Sequence, residues 1–212
     1  MVAGETKPDI HVPMMVTRGL PMSTQLLVDD HRKRTVIDVS ATIRGLKDTM
    51  TNRHVAVARV LWLQALGLPR DTMTNEQMIL FIRKYWEGID FSVSHAFQGI
   101  KKPGVTQAGV LAVVAQAYLT GADRTRLIEF GELMLTGDKK SDRDKAGILL
   151  REWLWAKASK RGGSDAQLEV YRKAQRALFN FLRGLPLEKL YETREQMFPM
   201  MGTRQSKGSK TA

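Results

Sequence analysis

Apolar residues recur at helical spacing along most of the chain, and the densest cluster is 105–119 (VTQAGVLAVVAQAYL). Val110, Leu111, Val113, Val114, Ala117 and Tyr118 cover most of a helix circumference. A helix apolar nearly all round is buried on several sides, so this run is expected to be the central helix. It is shorter than the roughly 20 residues a bilayer span needs. Upstream, Val55, Ala58, Leu61, Trp62 and Ala65 form the inner stripe of a helix capped by Thr51 and ended by Gly67 and Pro69. Thr74 and Gln77 have capping-box spacing, ahead of Met78, Ile79, Ile82, Tyr85 and Trp86. Gly88 is read as a helix breaker, with a short helix over 91–100 behind it.

Downstream, Gly121 ends the central helix and Asp123 caps the next, which turns Leu127, Phe130, Leu133 and Met134 inward. A helix is expected over 142–160, with Leu149, Leu150, Trp153 and Leu154 apolar. Ser164 and Gln167 repeat the capping-box spacing before a long helix carrying Leu168, Tyr171, Ala174, Leu178 and Leu182. Gly184 and Pro186 stop it, and a short element is expected over 187–191. Before all of these, Val36, Val39 and Ile43 share a helix face that stops at Gly45.

Residues 1–9 are polar. Residues 10–16 (IHVPMMV), opening on Ile10 and closing on Val16, read as one short strand, with Pro13 pointing to an edge position. One strand is not stable alone. The pattern therefore predicts an all-α, multi-helix orthogonal bundle with a short N-terminal strand and arm. Residues 1–30 form the arm, including a short helix through Leu27; 31–195 form the helical domain; and 196–212 form a basic, disordered tail. No apolar leader follows the start.

Composition narrows the chemistry. The chain has no cysteine, which removes disulfides and thiolate catalysis and suits a cytoplasmic protein. His11, His31, His54 and His95 have no ligand-pair spacing, so neither a metal nor a cofactor is expected. The segment Gly137-Asp138-Lys139-Lys140-Ser141 lacks the first glycine and the strand of a phosphate loop. No paired carboxylates or Ser-His-Asp order emerge, so no catalytic residue is assigned and the chain reads as a non-enzyme.

Charge points to a partner. There are 33 Lys+Arg against 22 Asp+Glu, a net charge of +11, and such a surface favours a polyanion. Arg32, Lys33 and Arg34 stand ahead of a helix N-terminus, where anions are favoured; Asp29 and Asp30 are their alternative partners. Arg172, Arg176 and Arg183 lie at offsets of four and seven and share one helix face, flanked by Lys173 and Asn180. These eight residues are the nucleic-acid-binding candidates, through phosphate contacts. A second candidate is a helix-turn-helix over 74–100, reading bases with Ser92, Ser94, His95 and Gln98.

Several segments resemble uncharacterised phage and plasmid proteins that join a ParB/sulfiredoxin-like domain, bearing an Asp-Gly-Gln-His-Arg motif, to a helical domain. The matching residues are Val16-Thr17-Arg18-Gly19-Leu20-Pro21, Arg32-Lys33-Arg34-Thr35-Val36-Ile37-Asp38-Val39, Thr74-Asn75-Glu76, Ala177-Leu178-Phe179-Asn180 and Arg183-Gly184. The resemblance runs as a thin pattern from Ile10 to Tyr191, the motif itself is absent, and the nucleotide-binding or nuclease activity of the ParB-like part does not carry over. It implies a mobile-element origin and DNA as partner; together with the charge, the expectation is a non-enzymatic DNA-binding accessory protein in the host cytoplasm. The alternative is an interaction module that docks on a ParB-like chain, or on itself, through residues 10–16. No membrane partner is expected.

Overall fold

The computed structural model describes residues 35–40, 50–70, 73–157 and 164–200. The strand over 10–16, the Arg32-Lys33-Arg34 cluster, the Gly45 stop and residues 201–212 lie outside the described residues. From Thr35 onward the chain is one unit. Its α-helices are α1 (Val36–Ser40), α2 (Asn52–Val60), α3 (Asn75–Lys84), α4 (Trp86–Asp90), α5 (Ala108–Leu119), α6 (Arg124–Thr136), α7 (Lys145–Lys157) and α8 (Ser164–Arg183). Two π-helical segments, Leu61–Ala65 and Phe91–Ala96, extend α2 and α4. No strand occurs among the described residues, and the all-α bundle is as the pattern predicts.

Helix α5 is the axis of the bundle. Every residue from 109 to 117 is buried, and α8, α2, α4, α6 and both π-helical segments pack around it. The helix begins three residues later than predicted. Gly104, at φ +81°, turns the chain, and the N–H groups of Val105 and Thr106 both bond the Lys102 carbonyl in that turn. Val105 is still fully buried, so its place in the apolar pattern reflects packing rather than helix.

Local signals set most helix starts. Thr74 Oγ1 accepts the Gln77 N–H at 3.2 Å, while Gln77 Oε1 accepts the Thr74 N–H at 3.3 Å. Asp123 Oδ1 accepts the Arg126 N–H at 2.8 Å. At α2 the capping partner is an imidazole: His54 Nδ1 accepts the Thr51 N–H at 3.1 Å.

The helix-turn-helix expectation is corrected. Gly88 does not break a helix; it lies inside α4, and the only interruption is at Tyr85. A Cβ on Gly88 would stand 2.5 Å from Leu119 and 2.9 Å from the Ala115 carbonyl, so glycine is required there by close packing on α5. The expected helix over 91–100 is π-helical to Ala96 and then turns. Ser92 is fully buried and donates to the Ile89 carbonyl, and Gln98 sits in the turn at φ +51°. The four proposed base readers therefore share no exposed helix face.

Two further expectations change near the C-terminus. A 3₁₀ turn, Asp142–Asp144, precedes α7, and 187–191 is not helical. Instead, residues 185–200 form an irregular strap laid against the bundle. Leu187, Thr193, Phe198 and Met200 are all buried. Residues 196–200, expected to belong to a tail, instead lie along the bundle, with Phe198 and Met200 buried.

Candidate nucleic-acid interface

Helix α8 follows its apolar spacing: Val170, Tyr171, Ala174, Ala177, Leu178 and Phe181 are buried. Residues four and seven apart lie on one side of a helix, and Arg172, Arg176 and Arg183 accordingly line one edge of α8, next to the strap. Arg172 Nη1 lies 3.4 Å from Glu192 Oε2 on the strap, with both side chains partly exposed. The Arg176 guanidinium carbon stands 5.9 Å from the ring of Tyr191, an exposed residue. The Nε of Arg176 is buried without an acceptor. Arg183 is exposed and lies 4.6 Å from the centre of the Phe179 ring.

The two flanking candidates go elsewhere. Lys173 occupies the opposite edge of α8, where its Nζ is 3.1 Å from Glu169 Oε1 and 4.2 Å from the centre of the Trp153 ring. Lys157 bonds the other Glu169 oxygen at 2.6 Å. Burial alone would raise the Glu169 pKa, but these two lysines hold the carboxyl below its ordinary value. Asn180 Nδ2 donates to the Arg176 carbonyl at 2.8 Å, inside its own helix. Arg172, Arg176 and Arg183 thus share one face of α8, Lys173 is turned to Glu169 and Trp153, and the Asn180 amide is taken up by the Arg176 carbonyl. Arg32, Lys33 and Arg34 lie outside the described residues.

Beside this edge is a feature with no periodic signal. Buried Gln116, Tyr171 and Gln175 converge with Gln196 of the strap, which is exposed, in a polar clasp. Gln116 Oε1 accepts from Tyr171 Oη at 2.6 Å and from Gln175 Nε2 at 3.1 Å. Gln196 Oε1 accepts from Gln175 Nε2 at 2.8 Å, and Gln196 Nε2 donates to the Gln64 carbonyl at 2.7 Å. Gln116 Nε2 donates to the Phe198 carbonyl, and Gln175 Oε1 accepts the Met197 N–H at 2.7 Å. Burial pushes the Tyr171 hydroxyl well above its usual range, against the opposing pull of these hydrogen bonds. The hydroxyl stays protonated and serves structure. The one sequence signal for the clasp is Gln116 itself, a lone amide inside an apolar run.

The clasp holds the strap so that it walls a groove of about 370 Å³, whose lining includes Phe179, Leu182 and Arg183 of α8, Phe198 and Pro199 of the strap, and Ala122. A second groove, of about 480 Å³, lies on the α6 side. Glu129, Glu132, Asp138 and Asp144 line it together with Arg126 and Lys140. Its excess of carboxylates repels a polyanion, whereas the first groove has Arg183 as its single charged lining residue.

One further cluster collects titratable groups. His54 is buried, stacks on Trp86 with ring centres 5.1 Å apart, and places Nε2 3.3 Å from Asp90 Oδ1. Ser94 donates to the same carboxylate oxygen at 2.7 Å. Burial lowers the His54 pKa and outweighs Asp90, which raises it. The neutral ring, accepting from Thr51 and donating toward Asp90, is a capping device. No set of three His, Asp or Glu side chains among the described residues is placed to hold a metal.

Of the +11 net charge, +5 falls on the described residues, which carry 21 Lys/Arg and 16 Asp/Glu. No described helix is long and apolar enough to cross a membrane. Comparison with known family models, curated proteins and solved structures finds no match.

Proposed function

We propose that this chain binds nucleic acid through its phosphates, as a non-enzymatic accessory protein. The observation that supports this best is the edge of α8. Arg172, Arg176 and Arg183 line up there, and among the described residues only Arg172 pairs with a carboxylate, at 3.4 Å. A guanidinium offers a planar fork of donors suited to phosphate oxygens. Arg183, exposed at the end of α8 and paired with no carboxylate among the described residues, presents such a fork to solvent. The net charge of +11 supplies the long-range attraction that brings a polyanion to this edge.

DNA in a phage- or plasmid-infected cytoplasm is the form of this proposal that agrees with the resemblance of the helical segments. Phosphate contacts of this kind act by releasing counterions and do not read sequence. The test is the affinity for an arbitrary duplex as a function of salt. Changing Arg172, Arg176 and Arg183 together to Gln should make the logarithmic salt slope shallower by roughly one unit per arginine. Superimposable salt titrations for parent and variant would remove this edge from the interface.

A further inference from the structure

The arginine edge runs into the groove beside Phe179, because Arg183 belongs to both. We propose that this groove takes an unpaired nucleobase, so that the partner is single-stranded nucleic acid with its phosphates along Arg172, Arg176 and Arg183. The inference rests on the phosphate-binding reading above and adds the class of ligand.

Three observations carry it. The first is chemistry: the walls are Phe179, Leu182, Phe198, Pro199 and Ala122, with no carboxylate among the lining residues. Bases are held on aromatic faces and on guanidinium planes, and both are present where Arg183 lies 4.6 Å from the Phe179 ring centre. The second is size: about 370 Å³ falls within the range of small-ligand pockets. The third is register: Arg176 and Arg183 are about 10 Å apart along the helix axis at about 1.5 Å per residue. More than one phosphate is therefore met while one base turns inward. A base within a duplex is stacked and paired, and reaching such a groove would require its extrusion. A single strand presents its bases without that cost.

The experiment uses the full chain and three fluorescent probes of equal length: a single-stranded oligonucleotide, its duplex, and a strand of the same phosphates with abasic residues. Anisotropy at fixed salt gives the affinities. The single strand should bind about tenfold tighter than the abasic strand, the scale of one base stacked on one ring. Ala122→Phe, which fills the groove, should lower single-strand affinity to that of the abasic strand. Phe179→Leu, a milder change that keeps an apolar wall, should act in the same direction, with circular dichroism as the folding control for both. Equal affinity for base-bearing and abasic strands, or tighter binding of the duplex, would overturn the base-binding groove. Salt-dependent binding of every probe without that preference would leave the phosphate reading standing and this inference refuted. No binding of any probe at low salt would refute both.

Discussion

Helix α8 presents two kinds of polar residue a single position apart. Tyr171 and Gln175 face inward and are almost completely buried, with their polar groups matched by Gln116, Gln196 and Met197. Arg172 and Arg176, the next residue in each case, face the strap and are held loosely, at 3.4 Å from Glu192 and 5.9 Å from Tyr191. The difference shows where the helix spends its polarity. A buried polar group must find a partner, or its desolvation is uncompensated, so the inner pair fixes the strap. A half-exposed cation loses little if its partner is weak, so the outer pair is left available to an external anion.

The comparison breaks most severely at Gln116. Gln116→Leu keeps the volume but leaves the Tyr171 hydroxyl, one Gln175 donor and the Phe198 carbonyl without their Gln116 partner. The Tyr171 hydroxyl and Gln175 amide keep Gln196 Oε1 as an acceptor, so the cost falls mainly on the Phe198 carbonyl; an unmatched buried group costs about 1–3 kcal/mol, and a loss of about that size is expected. Chemical denaturation should show it as a lower midpoint. A midpoint within error of the parent would mean that the clasp is not a matched network. Tyr171→Phe removes one hydroxyl and should cost about 1–2 kcal/mol. Its coupling to Gln196→Ala in a double-mutant cycle should reach about 0.5 kcal/mol or more; strict additivity would separate the strap from α8.

A third buried polar group sharpens the contrast because it titrates. The His54 pKa is lowered in the folded state, chiefly by burial, so between the folded and unfolded values the unfolded chain binds more protons. Stability should therefore fall as pH drops through about 6.5, the unfolded value. Asp90, at 3.3 Å, opposes this, and Arg53 adds to it. Thermal midpoints between pH 7.5 and 5.5 should decline more steeply for the parent than for His54→Gln. Parallel slopes would show that His54 does not carry the acid sensitivity. The smallest effect on stability belongs to the outer edge. Arg172→Gln, Arg176→Gln and Arg183→Gln together should change stability by about 0.5 kcal/mol or less, since exposed ion pairs contribute little. A large loss of thermal stability would recast these arginines as structural.

The sequence made the central helix, the Thr74 and Asp123 caps and the inner face of α8 legible, because each is written in neighbouring residues. Gly88 was misread, since a glycine required by close approach to Leu119 looks the same in sequence as one that ends a helix. The strap reads in sequence as a short element and a tail because irregular chain has no period, even where Leu187 and Phe198 are buried. Offsets of four and seven placed Arg172, Arg176 and Arg183 correctly on one edge. The same offset of four pairs Lys173 with Glu169, but it could not show that Lys173 also meets Trp153, which comes from α7. The bonds of the clasp join residues from 21 to 132 positions apart, and no local pattern encodes such a meeting.

That separation also sets an order in time. Gln116 and Gln196 bond across 80 residues, and a chain grows at about 5–20 residues per second. During synthesis, Gln116 therefore emerges roughly 4–16 s before the residue that completes its bonds. Helices form within microseconds, and Tyr171 and Gln175, made earlier, can meet the Gln116 side-chain carbonyl oxygen first, whereas its amide nitrogen finds its partners only on the strap. The bonds of Gln116 to the strap therefore cannot close before residues 196–198 have been made.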